Sequence, residues 1–421
     1  MDILTDNKTE SNRLIDNKVE ILDKDSTIKN KSIVTTTDKE LSVVPKIVYG
    51  WKIKKAESNP SIRVEYTDDA IGMTPVTIDL STSTVDYGDW INTFIINSFK
   101  PCMLKFDGTV DYYLDRENQN YKEDKKTLSD IDNIEYEGNA MVQVKKMYLY
   151  CYEDSNYYYC KISNIKVDSN YKCYAHINDN GQEVDYIYLP MFEGTLDSSN
   201  RIRSIADKRP AVSLSGSNEI QYCKNNGSRW YTDDFINTKL VENIIFLLVK
   251  SCNSQITLGR GFVDGNSSPC TTGTLINKGM FWGSSNGKVA VKFLYLENYY
   301  GSRWDRIAGL INNNGTYYIK PTRPYNDDGS CTNYINTGIS VPGNGWQKNH
   351  KMTEYGLVPI GIGGSDSTYI PDFFWSNNSQ IDYCSRGGYW VDISYCGLST
   401  IILYDRFEMV NNGHGCSPCY K

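Results

Sequence analysis

Alternating apolar and polar residues mark several stretches of the chain as β-strands. The alternation is clear at 46–54 and 62–67, and again at 141–153 and 157–167, where a short polar turn between the two runs predicts a hairpin. Further strands are predicted at 183–189, 288–296, 316–319 and 400–409. Past residue 253 the runs are short and are separated by stretches rich in Gly, Ser and Asn, so long loops are expected there.

Two segments carry the helical spacing of apolar residues instead. The first, 87–99, has a candidate N-cap at Asp89, and Pro101 is expected to stop it. The second, 233–250, has a broad apolar stripe that is typical of a helix buried against a sheet. Two helices followed by many short strands and long loops predict an α+β fold.

Residues 1–44 differ from the rest of the chain. They contain no aromatic residue and mix Lys, Asp, Glu, Asn, Ser and Thr, so they cannot bury enough apolar surface to offset the entropy of ordering. We expect a flexible N-terminal arm, suited to attaching the protein to a larger particle. After Pro45 the composition changes, and we predict a small β-rich connecting region at 45–84 and a main domain at 85–421.

The composition narrows the classes of partner. The net charge of the 421 residues is −7, without the basic stripe that grips nucleic acid, so no nucleic-acid partner is expected. The longest apolar run is far too short to cross a bilayer, so no membrane insertion is expected. Tyr is frequent, with 33 residues beside 8 Trp and 12 Phe; AT-rich coding explains part of this excess, but Tyr also suits surfaces that contact other molecules.

Twelve cysteines are scattered along the chain, which is too dilute for a disulfide scaffold. Synthesis in a reducing cytoplasm, with most thiols free, is therefore predicted. The motif at 414–419 combines one His with a Cys-x-x-Cys pair, but a zinc site needs four ligands and no second pair stands at the usual spacing. We interpret it as a cysteine-containing tail and predict no metal and no cofactor.

Several segments together resemble a known superfamily. They are 87–90 (YGDW), 225–231 (NNGSRWY), 254–255 (SQ), 259–261 (GRG), 296–304 (LENYYGSRW), 308–309 (AG) and 386–390 (RGGYW). Their order is similar to that of the C-type-lectin-like fold of the formylglycine-generating-enzyme type, which bacteriophages use in tropism-determining and fibre-tip proteins. The resemblance covers roughly residues 85–421, and residues 45–210 are also similar to fibre proteins of gut phages. It implies an α+β domain with two helices, short antiparallel strands and long loops.

The resemblance also implies roles for particular residues. A buried structural core is implied for Trp230, Glu297, Asn298, Gly301, Trp304, Gly387, Gly388 and Trp390. The two adjacent glycines permit a tight backbone approach that a Cβ would block. Enzymes of this superfamily need a redox-active or copper-binding cysteine pair, and the surroundings of Cys384 and Cys396 do not match that pattern, so their activity is not expected here.

The terminal region offers the best candidate for a binding face. Aromatic faces pack on the C–H surfaces of sugars, while amides and carboxylates bond to hydroxyls, and one short window supplies both. The predicted ligand-binding residues are Trp375, Asn377, Asn378, Tyr383, Arg386, Tyr389, Asp392, Ser394 and Tyr395. The alternative is that Phe374 and the tryptophans of this window belong to the core.

No pattern of catalytic residues stands out. Glycosidases need two opposed carboxylates, and the sequence offers Glu297, Asp305, Asp327 and Asp328, but no spacing singles out an acid and a base. No nucleophile elbow or phosphate-binding glycine loop is complete. We therefore predict no catalytic residue and no enzyme activity.

Together these features predict a bacteriophage virion protein, made in the host cytoplasm, that serves as a head fibre or a tail fibre. A receptor-binding, lectin-like tip is expected to bind a bacterial surface glycan or protein for host attachment, while the arm contacts other virion proteins. A homotrimer is expected from the fibre class, because weak single contacts gain by multivalency. The alternatives are a virion-associated glycan depolymerase and a purely structural fibre component.

Overall fold

The structure is a computed structural model that describes residues 45–421 in full. Before residue 45 it describes only the backbone of four strands, which form an antiparallel sheet in chain order: β1 (Arg13–Ile15), β2 (Lys18–Glu20), β3 (Lys31–Thr35) and β4 (Leu41–Pro45). The attachment arm predicted at 1–44 lies largely outside the described residues, and its role stays a prediction.

The remaining strands and the α-helices have the following bounds. The strands are β5 (Val48–Lys54), β6 (Val64–Asp68), β7 (Thr77–Asp79), β8 (Thr84–Asp86), β9 (Phe99–Lys105), β10 (Val110–Tyr113), β11 (Gly138–Lys145), β12 (Tyr148–Glu153), β13 (Tyr157–Ser163), β14 (Tyr186–Pro190), β15 (Thr195–Leu196), β16 (Ile202–Arg203), β17 (Trp230–Thr232), β18 (Lys292–Phe293), β19 (Leu296–Glu297), β20 (Trp304–Asn313), β21 (Thr316–Ile319), β22 (Ile335–Ser340), β23 (Gly345–Thr353), β24 (Gly356–Ile362), β25 (Phe373–Ser376), β26 (Ile381–Arg386), β27 (Ile401–Asp405), β28 (His414–Gly415) and β29 (Pro418–Tyr420). The helices are α1 (Phe94–Asn97), α2 (Gly216–Lys224), α3 (Phe235–Val249) and α4 (Ser254–Thr257).

Three larger sheets contain most of these strands. The N-terminal sheet has the order β12-β13-β5-β6, and the middle sheet has the order β10-β9-β11-β14-β29-β17. The C-terminal sheet has the order β22-β21-β20-β26-β27-β25-β23-β24, with β28 paired in parallel to β20. The middle sheet therefore joins strands from the first half of the chain to the last strand, β29.

The fold is mostly β, with 36% of residues in strands and 11% in helices. The predicted α+β lectin-type fold is therefore wrong. One reason is the segment 87–99, where the helical pattern yields only a 3₁₀ turn at Gly88–Trp90 and the single turn α1. The chain then continues as β9 through Pro101, which lies one residue outside the β9–β10 pairs, so its missing N–H removes no bond of that ladder.

The long helix predicted at 233–250 is present as α3, and all of its residues are buried. Asp234 caps its first turn by accepting a hydrogen bond from the Asn237 N–H at 2.9 Å. The N-terminal sheet covers one side, where the Trp51 indole N–H donates to the Asn243 carbonyl at 2.9 Å. β20 and β24 of the C-terminal sheet pack against it as well. A helix buried all round is thus the centre around which the sheets are arranged.

The residues that the resemblance assigned to a structural core all lie inside the protein. They are Trp230, Glu297, Asn298, Gly301, Trp304, Gly387, Gly388 and Trp390. The φ angles of Gly387 and Gly388 are 92° and 77°, in the region that favours glycine, and a Cβ on Gly388 would collide with the Cys396 Sγ. Within the described part of the chain, no helix combines the length and the apolar character needed to cross a bilayer.

A buried network of charges joins segments that are far apart in the sequence. Asp305 on β20 receives hydrogen bonds from Arg303 at 2.9 Å and from Arg386 at 3.1 Å. Arg386 also reaches Asp233, just before α3, at 3.2 Å, and the Ser417 hydroxyl donates to Asp305 at 3.0 Å. We call these five residues the Asp305 network. It fixes β20, β26, the start of α3 and the C-terminal segment relative to one another.

The segment 414–419, interpreted from sequence as a tail, is built into this arrangement. Its residues are buried, and the Cys416 carbonyl accepts a hydrogen bond from Arg303 at 2.6 Å. β29 then lies between β14 and β17 in the middle sheet. The C-terminal segment therefore completes both a sheet and the Asp305 network.

We predict that Arg386→Leu lowers the free energy of unfolding by about 3–5 kcal/mol, because it leaves Asp233 and Asp305 buried without their shared cation. Guanidinium unfolding followed by circular dichroism measures the change. The matched control is Lys52→Ala, which breaks the partly exposed Lys52–Glu65 pair of 2.9 Å and should cost at most about 1 kcal/mol. Equal costs for the two variants would contradict a stabilising role of the network.

Candidate functional site

Four aromatic side chains form a partly exposed cluster on the C-terminal sheet. The ring centroids of Trp346 and Phe373 lie 5.4 Å apart, and those of Phe373 and Trp375 lie 4.5 Å apart. Tyr395 completes the group, with its ring 5.2 Å from Trp346 and 4.8 Å from Phe373. The first three are half-buried and Tyr395 is 37% exposed. We call this cluster the aromatic platform.

Strand pairing explains why these residues meet. Trp346 on β23 is the direct antiparallel partner of Phe373 on β25. Trp375 lies two residues further along β25, so the period of a strand places it on the same face as Phe373, while Phe374 between them is buried. Tyr395 comes from a separate element, the 3₁₀ turn Ile393–Tyr395.

The turn that carries Tyr395 is held from several sides. The Tyr395 carbonyl accepts a hydrogen bond from the Thr400 hydroxyl at 2.9 Å, and the Tyr395 N–H donates to the Asp392 carbonyl at 2.9 Å. The Gln255 side-chain amide, from α4, donates to the Ser394 carbonyl at 2.7 Å. The platform is therefore positioned by a sheet on one side and by an anchored turn on the other.

A buried indole supports the platform from below. The Trp304 ring lies 5.3 Å from the Trp375 ring at an angle of 87°, the edge-to-face arrangement that aromatic pairs favour. The His414 ring stacks on Trp304, with the ring centroids 6.1 Å apart. Since Trp304 is adjacent to Asp305, the support of the platform is continuous with the Asp305 network.

One exposed apolar side chain adjoins the platform in the chain. Ile393, in the same turn as Tyr395, is 45% exposed. It adds apolar surface to the partly exposed rings, and exposed apolar patches mark interaction sites.

Polar groups stand at the edges of the platform. The exposed Asn344 accepts a hydrogen bond from the Ser376 N–H at 2.7 Å, which fixes its amide at the end of β25. Lys348 lies two residues past Trp346 on β23, with its ammonium 5.5 Å from the centroid of the Tyr369 ring. An amide and an ammonium supply donors that match hydroxyl and carboxylate oxygens.

The structure brings only part of the predicted binding set to the platform. Trp375 and Tyr395 belong to it, with ring centroids 5.9 Å apart, and Ser394 lies beside them. Asn377 and Asn378 follow β25, where the Asn377 amide oxygen accepts from the Ser379 hydroxyl at 2.7 Å. The Asn378 amide donates to the Val341 carbonyl at 3.0 Å, so it ties this turn to the segment after β22.

Tyr383 and Arg386 of the predicted set do not reach the surface. Both are buried, and the Arg386 guanidinium lies 3.5 Å from the centroid of the Tyr299 ring while it bonds within the Asp305 network. Tyr389 is half-buried, with its ring 5.0 Å from Trp390. A ligand on the platform would therefore not touch Arg386.

Trp346 and Phe373 were absent from the predicted set. If 373–376 is taken as a β-strand, its alternating side chains place Phe373 and Trp375 on one face and Phe374 on the other. Trp346 had no such local signal, because its place depends on the pairing of β23 with β25.

The carboxylates considered for catalysis are held by hydrogen bonds from neighbouring groups of the fold. Glu297 accepts from the Thr274 and Leu275 N–H groups at 2.9 and 3.1 Å. Asp305 is held in its network, Asp327 accepts from the Tyr231 hydroxyl at 2.7 Å, and Asp328 accepts from the Ser330 N–H at 2.9 Å in a turn. These contacts do not place two of the four carboxyl groups facing each other across a cleft, as a glycosidase needs.

A row of Ser385, His414 and Asp405 has the residue types of a hydrolase triad. The Ser385 hydroxyl lies 3.4 Å from the His414 Nδ1, and the His414 Nε2 lies 3.2 Å from the Asp405 carboxylate. However, Ser385 is only 1% exposed, so a substrate carbonyl has no route to its oxygen. Burial, together with the charges of Arg306 and Arg303, lowers the pKa of His414 to about 3, which makes it a weak base.

Metal binding is not indicated by side-chain grouping either. Across the part of the chain that the structure describes, no three His, Cys, Asp or Glu side chains are grouped to hold a metal ion. The His and two Cys of 414–419 instead have separate partners, and Cys419 Sγ is 2.7 Å from the Arg323 guanidinium.

No protein-family model matches the chain, and no curated protein matches it.

We predict that Asp392 makes the platform turn sensitive to pH. Its carboxylate accepts from the Tyr389 N–H at 3.0 Å, and burial raises the pKa of Asp392 to about 7. The folded protein therefore favours the neutral carboxyl, and this stabilisation is lost as the pH rises through about 7.

The measurement compares urea unfolding of the wild type and Asp392→Asn at about pH 5 and about pH 8. Because the amide of the variant cannot ionise, the variant should lose less stability than the wild type over this interval. The same loss in both proteins would show that Asp392 does not titrate there.

Proposed function

We propose that the protein binds a bacterial surface glycan through the aromatic platform. The observation that carries the proposal is the meeting of four partly exposed rings, Trp346, Phe373 and Trp375 on the C-terminal sheet and Tyr395 on the anchored turn. Rings held in advance lose little entropy on binding, so they contribute more of their contact energy to affinity.

The chemistry of the platform suits a saccharide. Sugar rings have C–H faces that pack on aromatic faces, and hydroxyls that bond to amide and ammonium groups. The platform has the rings, and Asn344 and Lys348 at its edges have the polar groups. The triad-like row beneath it has no accessible nucleophile, so binding rather than cleavage is the activity that the geometry supports.

We place this binding activity in a bacteriophage fibre or receptor-binding protein of the virion. The support is the resemblance of residues 45–210 to fibre proteins of gut phages, together with an N-terminal segment whose composition suits attachment. A homotrimer would present three platforms to one cell surface, so weak single contacts would add up to firm host attachment. A fibre of the head and a fibre of the tail are equally compatible with this proposal.

We predict that Trp375→Ala and Trp346→Ala each weaken binding to host cells about thirtyfold, since a central aromatic anchor typically contributes about 2 kcal/mol or more. Retention of the purified protein on cells, and on purified host polysaccharide, measures the change. The matched control is Tyr186→Ala, which removes a 41%-exposed aromatic ring from β14 in the middle sheet and should bind as the wild type does. Thermal melts confirm that the variants remain folded.

The other outcomes separate the alternatives. Wild-type retention with no loss in either tryptophan variant would move the site away from the platform. Retention on cells but not on their polysaccharide would identify a surface protein as the ligand. Soluble sugar products would identify a depolymerase, and failure to bind cells while attached to particles would identify a structural component.

A further inference from the structure

Two buried cysteines lie in contact although they are far apart in the chain. The Sγ atoms of Cys223, near the end of α2, and Cys416, just before β29, are 3.7 Å apart, although the two residues are separated by 193 in the sequence. Both side chains are almost fully buried. Ile202, Ala211 and Leu214 surround them, so the pair lies in an apolar pocket of the core.

We infer that Cys223 and Cys416 form a disulfide when the protein meets a small-molecule disulfide such as oxidised glutathione. One thiolate attacks the small disulfide and forms a mixed disulfide, which releases the first small thiol. The second thiolate then attacks the protein sulfur of that mixed disulfide and releases the second small thiol. The two cysteines lose two protons and two electrons, and the small disulfide takes up both electrons and both protons as it becomes two thiols.

The geometry needs only a small movement for this bond. A disulfide has an S–S distance of about 2.05 Å, so the two sulfurs must approach by less than the width of an atom. The bond would tie α2 to the C-terminal segment. This segment completes the middle sheet, and its Ser417 hydroxyl donates a hydrogen bond to Asp305. It would also close a long loop, and long loops give the largest loss of unfolded-state entropy.

Burial controls the rate of this oxidation. It raises the pKa of Cys416 well above its ordinary value, so little thiolate is present at neutral pH. A dissolved oxidant also has no direct route to either sulfur. Oxidation of the folded protein therefore requires local opening of the C-terminal segment and is slow, whereas oxidation during refolding is not limited in this way. The inference does not depend on the proposed function.

The test refolds the full chain in a buffer of reduced and oxidised glutathione and maps its disulfides by mass spectrometry without reduction. We expect a cross-linked pair of peptides that contains Cys223 and Cys416. The oxidised protein should melt several degrees above the reduced protein, and the double variant Cys223→Ser, Cys416→Ser should show no such difference. Recovery of both cysteines as alkylated thiols, or in bonds to other cysteines, would overturn the inference.

A second pair provides the matched control. Cys151 on β12 lies directly opposite Cys160 on β13, and the peptide map reports this pair separately. Cys151→Ser should leave the Cys223–Cys416 bond and its rise in melting temperature intact. Loss of that rise in Cys151→Ser would assign the effect to the other pair and so contradict the inference.

Discussion

The structure depends on one buried charge, the carboxylate of Asp305, which must be surrounded by hydrogen-bond donors. Arg303, Arg386 and Ser417 supply them, and Arg386 is shared with Asp233 at the start of α3. A buried charge without its partner costs far more than the pair contributes, so β20, β26, α3 and the C-terminal segment must assemble together.

The candidate site is a consequence of that arrangement. Trp304 precedes Asp305 on β20, and its indole supports Trp375 edge to face. Gly387 and Gly388 follow Arg386 at the end of β26, and they turn the chain toward the loop that carries Tyr395. The rings therefore stand on backbone whose position the buried charges determine, which is the rigidity that a binding surface of exposed aromatic side chains needs.

The sequence predicted the parts of this structure that have a local signal. The density of apolar residues located α3, and the cluster of aromatic and polar residues near the C-terminus pointed to Trp375 and Tyr395. The mostly β fold was missed, because strands far apart in the chain pair with one another, as β9 does with β11 and β14 with β29, and such pairing leaves no local signal. Arg386 was predicted to lie on the surface, because charged side chains without partners are usually exposed. Its partners Asp233 and Asp305 are far away in the sequence, so no local pattern indicates them.

The most direct test of the platform observes the indole N–H groups of the eight tryptophans by NMR while a host oligosaccharide is added. Trp346 and Trp375 should shift with the sugar concentration, and the buried Trp51, Trp90 and Trp230 should not. Saturable binding of the sugar that leaves both platform indoles unmoved would contradict the account.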